Sequence, residues 1–169
     1  MDFYSADLKS LHDLYLNQLR TLLSAEEQLT EALAEMIDKA SDTQLKQAFQ
    51  SHLQETHVQV TRLENILASE GPDTQALESE TLTVLVEEAR DLIADCTDDS
   101  VRDDALIAAA QRVEHYEIVA YGVLRHWAYI LGKSEQAQLL DQTIKEELHA
   151  DHLLTAIANR INVNAEKAA

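Results

Sequence analysis

The chain has 169 residues, of which 31 are acidic and 13 are lysine or arginine, so its formal net charge is −18. This length is enough for one domain with a substantial core, and the acidity argues against binding to nucleic acid or anionic membranes, which require basic surfaces. The single cysteine, Cys96, excludes an internal disulfide and a multi-cysteine zinc site. Apolar runs are shorter than a membrane span, and no signal-type apolar block follows Met1. We therefore expect a cytoplasmic protein.

The composition predicts an almost entirely helical chain, because alanine, leucine, glutamate and glutamine are abundant while there are only 3 glycines and 1 proline. A first helix is predicted to follow a cap at Ser5–Asp7 and to end at about Lys39. The pair Ser41-Asp42 then restarts the chain. A second helix continues to about Ser69, where the breaker pair Gly71-Pro72 stops it.

The second half of the chain shows the same kind of punctuation. A polar loop at 73–79 leads into a shorter helix, predicted from about Glu80 to Asp95. A fourth helix is predicted over about Val101–Leu131, and a fifth runs from a cap at Ser134 to about Asn162. We expect residues 163–169 to form a flexible tail.

The lengths of the helices and of their connections predict the fold. Four helices are long, and the turns within the first pair and within the last pair are very short, so each pair must be an antiparallel hairpin. The connection between the two hairpins is long and carries its own short helix. One long crossover of this kind indicates an all-α, ferritin-like four-helix bundle, with residues 1–169 forming a single domain.

Two of the long helices carry a glutamate where their apolar periodicity requires a core residue. Glu26 interrupts the inward stripe of the first helix, and Glu147 interrupts that of the last. Asp151 lies one turn beyond Glu147, while the adjacent Glu146 must point away. A carboxylate taken out of water is unfavourable by several kcal/mol unless it is protonated, paired or bound to a cation. For Glu26, an ion pair with a lysine or arginine of another helix is the alternative to a metal.

The two middle long helices carry similar interruptions. His52 lies within the stripe of the second helix, where it is either a core histidine or a ligand. Glu55 lies at the edge of the same stripe, and it is either a ligand or simply solvated. On the fourth helix, Glu114 shares the apolar face and Glu117 lies one turn along. Like charges at this spacing repel each other unless something positive lies between them.

Convergence of these side chains from four helices predicts a metal site. The candidate ligands are Glu26, His52, Glu55, Glu114, Glu117, Glu147 and Asp151. Such a group would carry a charge of roughly −5, which one proton cannot neutralise but two divalent or trivalent cations can. Oxygen-rich ligands with an imidazole suit iron or manganese.

Several segments are similar to one known family: SAEEQL at 24–29, FQSHLQET at 49–56, AAAQRVEHYEIVAYG at 108–122, and Glu146-Glu147 with Asp151. They resemble the YciE/YciF-type bacterial stress proteins of the ferritin-like superfamily, and the resemblance covers nearly the whole chain. It implies a helical bundle that dimerises and contains a di-iron centre. The carboxylate-ligand positions implied by the resemblance are Glu26, Glu55, Glu114, Glu117, Glu147 and Asp151. The chain departs from the superfamily pattern after Glu55, where Val58 and Gln59 replace a usual histidine, and at Asp151, where histidine is common.

The leading hypothesis is a stress-response protein that binds two iron ions, or manganese, and oxidises Fe(II) with dioxygen or peroxide. Glu55 and Glu147 would bridge the metals, and His52 would be a ligand or would orient one. The alternatives are a non-enzymatic helical scaffold with a vacant or structural site, and a single-metal site without redox activity. Apolar residues on several faces of one helix end, 127–131, favour a homodimer. Neither nucleic acid nor a membrane is expected as a partner.

Overall fold

The computed structural model describes residues 8–168, and the side chains of residues 8–161. Over this range the chain forms five helices and no strand: α1 Leu11–Lys39, α2 Thr43–Glu70, α3 Glu80–Asp95, α4 Asp99–Ile130 and α5 Ser134–Ala168. None of these helices combines the length and the apolar character needed to cross a bilayer. The predicted order of four long helices and one short one is confirmed.

The helix ends differ from the predicted ends where a closer cap competes. Helix α1 begins at Leu11, because the Ser10 side chain accepts a hydrogen bond from the Asp13 backbone N–H. The predicted cap at Ser5–Asp7 lies outside the described residues. Helix α5 continues to Ala168, beyond the predicted end near Asn162, so the predicted flexibility of 163–169 stays a prediction.

Helix α4 ends in a tight turn that requires a glycine. Gly132 has a φ of 73°, a left-handed conformation in which a side chain would be strained. Its N–H donates to the Tyr129 carbonyl at 3.1 Å, and the Lys133 N–H reaches back to the Ala128 carbonyl at 2.8 Å. This tight reversal brings α5 directly back along α4.

The four long helices form an antiparallel bundle in which α1 packs on α2 and α4, and α5 packs on α4 and α2. Helices α2 and α4 run in the same direction, so the chain between them must return along the full length of the bundle. This return contains α3, which lies against α1 and α4. The Arg20 side chain holds the first part of this returning segment, because it donates hydrogen bonds to the Gln75 carbonyl at 2.6 Å and to Asp73 at 2.8 Å.

Both ends of the bundle are held by a buried carboxylate with a full set of donors. At one end, Asp103 of α4 is 2% exposed and accepts hydrogen bonds from the Ser41 N–H, the Ser41 hydroxyl and the Asp42 N–H, at 2.8, 2.6 and 2.8 Å. Asp103 therefore provides acceptors for the backbone N–H groups of the turn between α1 and α2, although it belongs to another helix. The opposite end uses Glu70 at the end of α2 in the same way.

Glu70 joins three helices through one carboxylate. Its oxygens lie 2.7 and 2.8 Å from the Lys133 Nζ, 2.9 Å from the His12 Nε2 and 2.5 Å from the Gln136 amide nitrogen. Burial by itself would raise the pKa of Glu70, but these donors outweigh it and lower the pKa to about 2. The ionised form of Glu70 thus stabilises the fold.

We expect the stability provided by Glu70 to depend on pH. A carboxyl whose pKa falls from 4.5 to about 2 on folding contributes about 3 kcal/mol above pH 4.5, and this contribution disappears as the pH falls through 2. The Glu70→Gln variant should therefore be less stable than the parent in urea at pH 7, and the difference should shrink progressively at pH 4 and pH 3. Glu64→Gln, at an exposed position of the same helix, is the control and should change little. A pH-independent difference would contradict the ion-pair account.

Candidate metal centre

The first acid of the site is placed by the apolar stripe of α1. Glu26 lies one turn from the buried Leu22 and Leu29 and is itself 0% exposed, so the helix that buries the leucines also buries the carboxylate. One of its oxygens, Oε1, accepts a short hydrogen bond from the Tyr121 hydroxyl of α4. The ion pair with a lysine or arginine, considered from the sequence, is not what the structure shows for Glu26.

Three further helices bring their polar side chains to the same level. His52 of α2, Glu114 and Glu117 of α4, and Glu147 of α5 are all buried, and each offers an atom within 4.8 Å of an atom from every other member. The His52 Nε2 lies 3.2 Å from the Glu114 Oε1 and 3.7 Å from the Glu147 Oε2. These atoms are close enough to share a bound cation.

The polar atoms of this cluster lack partners to an unusual degree. Buried side-chain atoms without any hydrogen-bond partner comprise Glu26 Oε2, both ring nitrogens of His52, Gln59 Oε1, Glu114 Oε2, both oxygens of Glu117 and Glu147 Oε2. The contact between His52 and Glu114 is short but does not have hydrogen-bond geometry. In folded proteins nearly all buried polar groups are paired, so a concentration of unpaired acceptors at one point requires an explanation.

The surrounding cations do not supply that explanation. No lysine or arginine among residues 8–161 forms an ion pair with the buried carboxylates of Glu26, Glu114, Glu117 or Glu147. The nearest candidate, Arg62 of α2, is already engaged: it holds Glu146 through two hydrogen bonds of 2.8 and 3.0 Å. Glu146 therefore faces away from the cluster with its own partner, as the leucine ladder of the last helix predicts.

Burial and mutual repulsion disfavour the charged forms of these acids. Desolvation raises the pKa of Glu26, Glu114 and Glu117 well above the usual value, and the charge of Glu147 adds to the rise for each of them. Burial also raises the pKa of Glu147, although the proximity of His52 works against the rise. A bound cation would remove both penalties at once.

Three of the seven predicted ligands, Glu26, Glu55 and Asp151, lie outside the four-residue cluster. Glu55 is 37% exposed, with its Oε2 at 3.6 Å from the His52 Nδ1, at the wall of a small opening between α2 and α5. Asp151 accepts a hydrogen bond of 2.9 Å from Gln111 and lies 3.5 Å from the His115 Nε2. The structure thus gathers His52, Glu114, Glu117 and Glu147, with Glu26 bordering them. The ligand roles assigned to all seven residues stay predictions.

Sequence reasoning missed two residues that hold the site in place. Gln59 is 0% exposed, and its amide donates a short hydrogen bond to Glu147 Oε1 and one of 3.1 Å to Glu146. Tyr121 of α4 is the hydrogen-bond partner of Glu26. The signal for Gln59 was its place on the buried stripe of α2, one turn after Glu55, where an amide is as unexpected as a carboxylate.

Comparison with known proteins assigns the chain to a family. A family model described as "Domain of unknown function (DUF892)" matches residues 10–168. The chain belongs to this family. Protein YciF of Escherichia coli (strain K12) is 41% identical over 165 residues, which cover 96% of this chain and 99% of that protein. The resemblance to the YciF-type stress proteins is thereby confirmed.

Solved structures confirm the fold. The crystal structure of the E. coli stress protein YciF matches with a TM-score of 0.87, over 93% of this chain and 99% of that one. YcfI of Rhodopseudomonas palustris, whose description proposes a structural role, matches with a TM-score of 0.87 at 37% identity, over 90% and 98% of the two chains. A protein of Xanthomonas campestris, 19% identical with a TM-score of 0.78 over 94% and 98%, shows the shared fold alone.

We expect the unpaired acids to destabilise the metal-free protein. Replacing Glu117 with glutamine keeps the shape but removes a carboxyl that, once buried beside Glu26 and Glu147, must either remain charged or take up a proton, so Glu117→Gln should stabilise the chelator-treated protein by about 1–3 kcal/mol at pH 7. Urea unfolding in the presence of EDTA measures the change. Glu27→Gln, at the exposed neighbour of Glu26, is the matched control and should have little effect. A clear loss of stability in Glu117→Gln would mean that the Glu117 carboxylate is structurally required.

Proposed function

We propose that this protein binds a di-metal carboxylate centre of iron or manganese inside its bundle, and that it serves in a stress response in the cytoplasm. The observation that carries the proposal is the set of unpartnered atoms of Glu26, His52, Glu114, Glu117 and Glu147, buried around one point. Hard carboxylate oxygens with one imidazole suit iron and manganese. Bundle proteins of this class build their sites from facing helices in the same way.

The proposed ligands divide by helix. His52, Glu114, Glu117 and Glu147 form the group that is close enough to hold a first ion. Glu26 lies outside this group but interacts with Glu117, so we assign it to the second ion. Glu55, 3.6 Å from the His52 ring, and Asp151 would complete the set of residues that hold the two ions.

The redox part of the proposal assigns a task to several side chains. Bound iron would supply the electrons for reduction of dioxygen or peroxide. The surrounding residues position the ligands: the Gln59 amide orients Glu147, and the Tyr121 hydroxyl holds a proton at Glu26 Oε1. A small opening of about 50 Å³ adjoins the cluster, and polar residues such as His52, Glu55 and His149 line it together with apolar ones such as Phe49 and Leu154.

Aerobic titration with Fe(II) tests the proposal. We expect the metal-free protein to take up about two irons per chain and to develop near-ultraviolet ferric absorbance that saturates at that ratio. His52→Ala and Glu117→Gln should lower the stoichiometry and slow the absorbance change, because each removes a ligand from the four-residue cluster. Glu27→Gln should behave like the parent.

Anaerobic Mn(II) binding, followed by native mass spectrometry, separates metal binding from turnover. If two Mn(II) ions bind but the aerobic titration shows no Fe(II) oxidation, the protein has a di-metal site and the redox role is excluded. One ion would indicate a single-metal centre. If no metal is retained and Glu117→Gln gives the same metal content as the parent, the non-enzymatic scaffold that the description of YcfI suggests is favoured.

A homodimer is the proposed assembly. Helices α1 and α4 form an apolar groove of about 420 Å³, lined by Leu22, Tyr116, Val123 and Trp127 among others. Val119 lies in this groove with 66% of its surface exposed. A contiguous apolar patch of this kind on an acidic, soluble surface favours an isologous contact with a second copy.

We expect Val119→Asp to convert the dimer to a monomer, because it places a charge at the centre of the proposed contact. Light scattering after size-exclusion chromatography measures the mass. Val84→Asp, at a comparably exposed valine of α3, should leave the mass unchanged. A monomeric parent, or a dimer that tolerates Val119→Asp, would contradict this assignment of the interface.

A further inference from the structure

Helix α3 is amphipathic, yet its apolar side is poorly packed. Leu82 is the one residue of α3 that is fully buried. Leu85, Val86 and Ile93 continue the same stripe toward the bundle but remain only half-buried. A helix that turns an apolar stripe inward normally buries it, so the half-buried stripe leaves a space between α3 and the bundle.

That space is a cavity of about 540 Å³ between α1, α3 and α4. Its walls are mainly aliphatic and include Leu29, Leu33 and Met36 of α1 and Val113 of α4. Protein interiors are close-packed and contain few voids larger than a water molecule, whereas pockets for small ligands span about 300–1,000 Å³. The volume and the apolar walls are those of a ligand site.

The charged groups of the cavity lie at its mouth. Lys39, Arg90 and Arg102 line it, although the whole chain has only 13 lysines and arginines. The acids at the same rim are Glu35 and Asp38, so cations exceed acids there in an otherwise strongly acidic protein. At the inner wall the one charged side chain is the buried Glu114, which the cavity shares with the candidate metal centre.

Arg90 at the mouth is available to a ligand, whereas Arg102 is already paired with Asp99 and donates to the Lys39 carbonyl at 3.1 Å. Arg90 pairs with Glu35 through two hydrogen bonds of 2.8 and 2.7 Å, but the two side chains are 49% and 51% exposed. An ion pair so open to water contributes little to stability, so a ligand anion can replace Glu35 at little cost. A fork-shaped guanidinium is also well suited to hold a carboxylate.

We propose that this cavity binds an amphiphile with a single aliphatic chain and a carboxylate head group, a ligand of the fatty-acid class. The chain lies between α3 and the Leu33 and Val113 walls, and the head group meets Arg90 at the mouth. The sparse packing of α3 allows the helix to move outward and admit the chain. This site is separate from the proposed metal function, because it requires no bound ion.

Isothermal titration calorimetry with sodium dodecanoate, below its micelle concentration, tests the proposal on the full chain. We expect one saturable site per chain, with dodecyltrimethylammonium at least tenfold weaker because its cationic head is repelled at the mouth. Arg90→Gln should weaken dodecanoate binding about three- to tenfold while leaving the affinity for uncharged dodecanol unchanged. Arg112→Gln is the matched control. Like Arg90, Arg112 forms an exposed ion pair with a neighbouring helix, through Glu88 of α3, but it does not line the cavity.

A second pair of variants tests the location of the chain. Ala89→Trp fills the cavity from α3 and should abolish binding of dodecanoate and of dodecanol, whereas Val84→Trp, on the exposed side of α3, should not. Circular dichroism shows whether each variant is folded. If Ala89→Trp is unfolded, Ala109→Leu is used in its place to fill the cavity. Non-saturating uptake of many molecules, equal affinity for the cationic amphiphile, or binding unaffected by cavity filling would each overturn the proposal. Metal stoichiometry measured on the same variants should stay that of the parent, which separates this test from that of the metal centre.

Discussion

The interior of this bundle is organised by the unfavourable free energy of removing a carboxylate from water. Each buried acid requires donors, a proton or a cation, and the protein meets this requirement in two different ways. Asp103, at one end of the bundle, receives its donors from the turn between α1 and α2, and Glu70, at the other end, receives its donors from α1, α5 and the turn before α5. The acids at mid-height receive almost none, which is the reason for proposing that a cation binds at the centre.

This division connects stability to function. The hydrogen bonds at the two ends fix the long helices relative to one another, and the carboxylates at the centre repel one another. Raised pKa values of Glu114 and Glu117, caused by burial and by the charges of neighbouring glutamates, express the same strain. Metal binding, as proposed, would convert this strain into affinity, because the cation relieves desolvation and repulsion together.

The crossover adds a second feature that the bundle itself does not require. Helix α3 only has to return the chain from one end of the bundle to the other, and a fully packed helix would do so. Instead its apolar stripe stands over a cavity that extends to Glu114, with arginines at its mouth. The metal centre and the cavity thus share one wall, although the proposals for the two depend on different residues.

The amino-acid sequence by itself determined the helices, their pairing and the burial of Glu26 and Glu147, because helical periodicity places such residues on an inward face whatever the partner helix is. It also indicated His52, Glu114 and Glu117. Only the tertiary structure decided which of the neighbouring acids meet: Glu55, at the edge of its stripe, lies at the opening, and Asp151 is held by Gln111. The partners of the acids, Tyr121 and Gln59, and the gap beneath α3 depend on how separate helices approach one another, and local periodicity carries no information about that distance.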